Sequence, residues 1–138
     1  MNKSLLLAAG LSAFVFTAPF AFAETLTYNV KLDGASQSPP VDSKATGTAD
    51  VKVDTEAKTI SWMIKSMDLS GPATVAHFHG PAAVGANAPP VIDISKMIDS
   101  GTAPITDALL ADLQAGKIYL NVHTAKYPDG EIRGQVVK

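Results

Sequence analysis

The chain of 138 residues carries 11 Lys plus Arg, 13 Asp plus Glu, three His and no Cys, and 46% of it is hydrophobic. That length suits one modest globular domain, and the slight acidic excess excludes a nucleic-acid protein held by a basic surface. Without Cys there is no thiol nucleophile, zinc-thiolate site, blue-copper Cys ligand or iron-sulfur cluster, and stability has to come from packing rather than from disulfides.

Residues 1–23, MNKSLLLAAGLSAFVFTAPFAFA, place a single charge, Lys3, before an apolar stretch from Leu5 to about Phe16, then Ala21-Phe22-Ala23 ahead of Glu24. Basic, apolar and small residues in that order form the pattern of a secretory signal peptide. A membrane anchor needs about 20 unbroken apolar residues, and Ser12, Thr17 and Pro19 interrupt this run. Cleavage after Ala23 is expected. It leaves one domain of 115 residues, 24–138, with ten basic and thirteen acidic side chains, no membrane span, and a destination in the periplasm or the medium.

Beyond that point Leu26, Tyr28, Val30 and Leu32 alternate with Thr25, Thr27, Asn29 and Lys31, which predicts a strand over 25–32 with one buried face. A loop rich in Gly, Ser and Pro follows from Asp33 to Asp42. The alternations centred on Val51 and Trp62, separated by the short polar stretch Asp54 to Ala57, predict a hairpin with strands over 45–53 and 58–67. Trp62 and its aliphatic partners are expected in the core. A fourth strand is expected over 73–79, between Gly71-Pro72 and Gly80-Pro81. Residues 80–90, with two Gly, three Pro and four Ala, predict a wide loop leading to the brief apolar run Val91 to Ile94. Thr106 to Gly116 reads as one short helix, with Thr106 as its cap, Leu109, Leu110 and Leu113 on one face, and Gly116 at its exit. Two last strands are expected over 118–124 and 131–137, joined through the turn signal Pro128-Asp129-Gly130. Six or seven short strands predict an all-β fold, an antiparallel Greek-key-like β-sandwich or barrel with one short helix.

All three histidines fall in two of these strands: His77 and His79 in Ala76-His77-Phe78-His79-Gly80, and His123 in Asn121-Val122-His123-Thr124. Strand side chains alternate between faces, so His77 and His79 share a side, about 6.5 to 7 Å apart along the strand, and Phe78 points away. Ile118, Leu120 and Val122 make an apolar face, which leaves Tyr119, Asn121 and His123 on the other. If the two strands are neighbours, three imidazoles converge on one ion. A site of nitrogen donors without thiolate ranks copper first by the Irving-Williams order and zinc second. The plain alternative is a surface His-x-His pair and a hydrogen-bonded His123 with no metal. Asp129 and Glu131 flank a turn and are expected in solvent, so a paired-carboxylate hydrolase is disfavoured. No Gly-x-Ser-x-Gly elbow supports a serine nucleophile.

At these residues the sequence resembles the CHRD family, the domain first described in chordin and found also as a stand-alone exported bacterial domain. The resemblance is carried by Ala76-His77-Phe78-His79-Gly80-Pro81-Ala82 and by Tyr119 to Thr124 followed by Tyr127-Pro128-Asp129-Gly130-Glu131-Ile132-Arg133-Gly134-Gln135. A looser likeness is to the copper-binding half of copper-zinc superoxide dismutases, β-sandwiches with a His-x-His pair, a later copper-ligating His and an Arg that draws in superoxide. That likeness implies a role for Arg133, the only Arg of the chain, beside the metal. The alternative for Arg133 is a surface residue paired with Glu131 or a neighbouring acid. The dismutase zinc loop, bridging His and disulfide have no counterpart, so the implied site is mononuclear. Its fourth ligand is then water, a backbone oxygen or the phenolate of Tyr127, against the alternative of a Tyr packed over the turn proline.

Three functions follow as expectations. The first is a copper protein using His77, His79 and His123, with superoxide dismutation its most concrete redox activity. The second is a periplasmic copper carrier without turnover. The third is a metal-free adhesion or assembly module, for which the Pro- and Ala-rich loop at 80–90 is the only hint of an exposed patch.

Overall fold

The computed structural model describes residues 23–138, so the expected signal peptide lies outside the described residues except for Ala23. β1 (Thr25–Asp33), β2 (Thr46–Asp54) and β3 (Thr59–Met67) form an antiparallel meander. Alternation buries Leu26, Tyr28, Val30 and Leu32 of β1, Ala49, Val51 and Val53 of β2, and Ile60, Trp62 and Ile64 of β3 on one face. The intervening Thr, Lys and Asp side chains face outward, as a half-buried antiparallel sheet requires.

β4 (Ala73–His79) does not return to β3. The chain crosses to the far side, where β4 lies between β5 (Pro90–Asp93) and β7 (Tyr119–Thr124), and β8 (Ile132–Gln135) joins β7 to β1. β6 (Ser100–Pro104) pairs with β3, which completes a single eight-stranded sheet in the order β5-β4-β7-β8-β1-β2-β3-β6. Only residues 94–99 join its two edge strands, so those edges must lie close and the sheet curls into a nearly closed, barrel-like form. That connection is tied to both sides. Ile94 N–H donates to Ala76 O at 3.0 Å, Ile64 N–H to Asp99 O at 2.7 Å, and Trp62 Nε1–H to Met97 O at 2.9 Å. Inside, Trp62 of β3 meets Phe78 of β4 edge to face at 5.9 Å between ring centres, an arrangement favoured by the ring quadrupoles.

The strands stand within a few residues of their expected bounds. β6 is the exception, because Ser-Gly-Thr-Ala-Pro shows no apolar alternation. It exists because the open edge of β3 supplies partners, and because Gly101 has no Cβ, which would lie 2.5 Å from the Trp62 indole. The helix α1 spans Asp107–Gln114, with Thr106 Oγ1 accepting from Leu109 N–H at 3.1 Å and Gly116 following at φ +70°. Leu110 and Leu113 are buried against the barrel. Thr106→Ala removes the cap acceptor and is expected to cost about 1 kcal/mol, read as a shift of the urea midpoint at constant slope.

Candidate metal centre

β4 and β7 are antiparallel neighbours, with Val75 opposite His123, His77 opposite Asn121 and His79 opposite Tyr119. Register and pleat therefore put all three imidazoles on one side of the pair, while Phe78, Leu120 and Val122 fill the core at 0% exposure. One potential ligand atom from each of His77, His79 and His123 lies within 4.8 Å of the others. The His77 ring stands nearly perpendicular to both others, at 5.4 Å from His79 and 5.1 Å from His123 between centres. His77 Nδ1 is 3.3 Å from His123 Nε2. Two nitrogens bound to one ion at about 2.0 to 2.1 Å in tetrahedral geometry stand about 3.3 to 3.4 Å apart.

The outer nitrogens fix the tautomers. His79 Nδ1 lies 2.9 Å from Ala88 O and His123 Nδ1 lies 2.7 Å from Pro128 O. A carbonyl oxygen only accepts, so in the neutral rings both Nδ1 atoms carry the hydrogen and both Nε2 lone pairs face the cluster. This is the arrangement in which a protein orients His for a metal, with the far N–H held by a carbonyl. His77 presents Nδ1 inward, and its Nε2 lies 3.8 Å from Asp93 Oδ1. Burial first, then the neighbouring His123 and His79, push the His77 pKa below its ordinary value, against a smaller opposing pull from Asp93. Burial is also the largest cause for His79, whose pKa is lowered although its hydrogen bonds to Ala88 and Asn121 act the other way. Both effects favour the neutral, ligating form.

A profile for the CHRD domain matches residues 28–136, which include both histidine strands and the turn between β7 and β8. The chain belongs to the CHRD domain family. No curated protein and no solved structure matches the chain.

In this CHRD domain the loop at 80–90 is part of the centre. Ala88 O accepts from His79 Nδ1–H and from the Tyr119 hydroxyl at 3.1 Å, and Asn87 Nδ2–H donates to Ser38 O at 2.8 Å. Arg133 donates to Ala86 O at 2.6 Å and to Asn87 Oδ1 at 2.9 Å. The guanidinium carbon lies 3.5 Å from the Tyr119 ring centre, and that ring stacks on His79 at 4.7 Å with 3° between planes. β7 lies between β4 and β8, so Tyr119 separates Arg133 from His79. Arg133 is therefore neither on the surface nor paired with Glu131. It is 2% exposed and clamps the loop over the imidazoles.

The Tyr127 hydroxyl donates to Asp42 O at 3.1 Å. Glu131, expected in solvent, is 1% exposed. Its carboxylate accepts from Ser43 Oγ at 2.7 Å, Ser70 Oγ at 2.8 Å, Thr124 Oγ1 at 2.7 Å and the Ser70 N–H. Four donors replace the water it loses, which is why a charged group sits there. Tyr119 and Asn121 share the face of His123, as the strand alternation predicts, and that alternation is the signal in the sequence that ties them to the site.

Proposed function

We propose that this CHRD protein is an exported copper-binding protein in which His77, His79 and His123 hold one ion. The observation that carries the reading is the convergence of three imidazole nitrogens within 4.8 Å, two of them turned inward by carbonyls on their far side. An ion at about 2.0 to 2.1 Å from each nitrogen needs every pair within about 4.2 Å. That limit is the collinear case; in a trigonal or tetrahedral site each pair stands about 3.3 to 3.6 Å apart, so the widest permitted gap closes by up to about 1.5 Å when an ion is bound. Copper ranks ahead of zinc because the donors are imidazoles without thiolate, on a rigid sheet. Export is supported by the pattern of residues 1–23.

Holding and delivering the ion fits the surroundings better than superoxide dismutation. The Arg133 guanidinium, the expected guide for the anion, is 2% exposed and donates to Ala86 O and Asn87 Oδ1 beneath the loop, so it is shielded from an anion arriving through solvent. The purified mature chain is expected to take up about one copper per molecule, as measured by elemental analysis after gel filtration. The copper EPR spectrum is expected to show nitrogen hyperfine structure. A chain that emerges free of copper after incubation with excess Cu(II) would falsify the reading. Copper-loaded protein that accelerates superoxide decay above a free-copper control would move the conclusion from carrier to enzyme.

A further inference from the structure

We propose that the side-chain carboxamide of Asn121 is the fourth donor of this centre, presenting Oδ1 to the ion held by the three imidazoles. The inference rests on the metal-binding reading above. Asn121 is 3% exposed and lies opposite His77 across the β4–β7 ladder. Its Oδ1 is 2.9 Å from His79 Nε2 and 3.0 Å from His123 Nε2.

The tautomers make this placement informative. Both Nδ1–H groups are committed to main-chain carbonyls, so both neutral Nε2 atoms offer lone pairs to the same point as the amide oxygen. The hydrogen nearest these three acceptors is one on His77 Nδ1, 3.3 Å from His123 Nε2; none lies between Asn121 Oδ1 and His79 Nε2, and a buried contact of two acceptors is repulsive and costly. Two arrangements relieve the repulsion. In the metal-free protein the carboxamide turns over, so that Nδ2 donates to one or both rings. In the loaded protein a cation sits among the lone pairs and the oxygen faces it. One residue thereby holds the rings poised when the site is empty and completes it when the site is full.

The separations suit a shared ion. Donors at about 2.0 to 2.1 Å stand about 2.9 Å apart across a right angle and about 3.3 to 3.4 Å apart across a tetrahedral one. The two oxygen–nitrogen distances match the first value, and the His77–His123 distance of 3.3 Å matches the second. The carboxamide also has room behind it. Gly130, at φ +119°, leaves room that a Cβ would close, at 2.9 Å from Asn121 Nδ2 and 2.5 Å from Gln37 Nε2. Neither other oxygen named near the site is better placed. Tyr127 is engaged with Asp42, and Asp93 faces the outer nitrogen of His77.

The test uses the mature chain, its Asn121→Ala and Asn121→Asp variants, and His77→Ala, each titrated with Cu(II) against a chromophoric chelator and examined by EPR at substoichiometric copper. Asn121→Ala is expected to bind about 10- to 100-fold more weakly, with shifted g and copper hyperfine values and the imidazole nitrogen pattern retained. Asn121→Asp keeps the shape and supplies an anionic oxygen, so it is expected to bind at least as tightly, again with a shifted spectrum. A change of affinity with spectra identical to the parent in both variants overturns the proposal, because losing or exchanging a directly bound oxygen must change the ion's g and copper hyperfine values. Unchanged affinity and spectrum in Asn121→Ala overturns it as well. If Asn121→Ala does not fold, the Asp variant decides: a shifted spectrum supports the fourth donor and an identical one refutes it. A parent chain that binds no copper, or a His77→Ala variant that binds like the parent, removes the three-histidine centre itself and this inference with it.

Discussion

His77→Ala is expected to lower copper affinity at least about 100-fold while changing the stability of the metal-free protein by less than about 1 kcal/mol. Among the three histidines it separates binding from folding best. His79 and His123 are 8% and 7% exposed and hold the carbonyls of Ala88 and Pro128, so their removal strips partners from the loop and the turn as well as from the ion. His77 is the most open of the three, with a side chain 18% exposed. Its polar neighbours are His123 at 3.3 Å and Asp93 at 3.8 Å. Removing its ring frees a lone pair on His123 and little else, yet it takes away one of the three nitrogens on which capture depends. Chelator competition and thermal melts of the metal-free protein measure the two halves. Parent-like affinity in the variant would show that copper, if bound, is held elsewhere.

Glu131→Ala is expected to destabilise the fold by about 3 kcal/mol, a large share of the stability of a small domain. The carboxylate ties three separate segments together: Ser43 ahead of β2, Ser70 ahead of β4 and Thr124 at the end of β7. Its loss leaves the buried Thr124 hydroxyl, the hydroxyls of Ser43 and Ser70, and the Ser70 N–H without their acceptor, next to the strand that carries Asn121 and His123. Burial acts most strongly on this carboxyl and pushes its pKa up, but the hydrogen bonds from Ser43, Thr124 and Ser70 together outweigh burial and hold it below the ordinary value of 4.5. A carboxyl with a lower pKa folded than unfolded contributes stability that is fully present above the unfolded value. That contribution is lost as pH falls from about 4.5 through the folded value. The parent is therefore expected to lose stability in that window, and Glu131→Gln, which does not titrate, to lose less there while starting lower at pH 7. Urea denaturation at pH 7 and at pH 4 measures both, and equal pH dependence in parent and variant would refute the assignment.

The parts of the fold that were legible in the sequence are those where one face is buried and the other is wet. Leu26 to Leu32 and Ile60 to Ile64 alternate because half of each strand faces water, and the helix announced itself through Thr106, its leucines and Gly116. The common side of His77 and His79, and of Asn121 and His123, followed from the same pleat. What joins them was not legible, because the β4–β7 pairing spans 46 residues between His77 and His123 and leaves no local trace. All six residues of β7 are buried, its site face covered by the Pro- and Ala-rich loop, which is itself exposed at most positions, as its composition suggested. That loop contributes through main-chain carbonyls of Ala86 and Ala88, which any residue type carries, so side-chain chemistry could not reveal it. Arg133 and Glu131 were misjudged for a related reason. Charged residues belong in solvent unless fully satisfied, and their partners lie on segments distant in sequence.

The most direct test of the account is a crystal structure of the copper-loaded protein with anomalous data collected at the copper edge. One strong peak is expected about 2.0 to 2.1 Å from His77 Nδ1, His79 Nε2 and His123 Nε2. A peak bound to only one of these rings, or copper held at another part of the surface while the three imidazoles keep their metal-free positions, would contradict it.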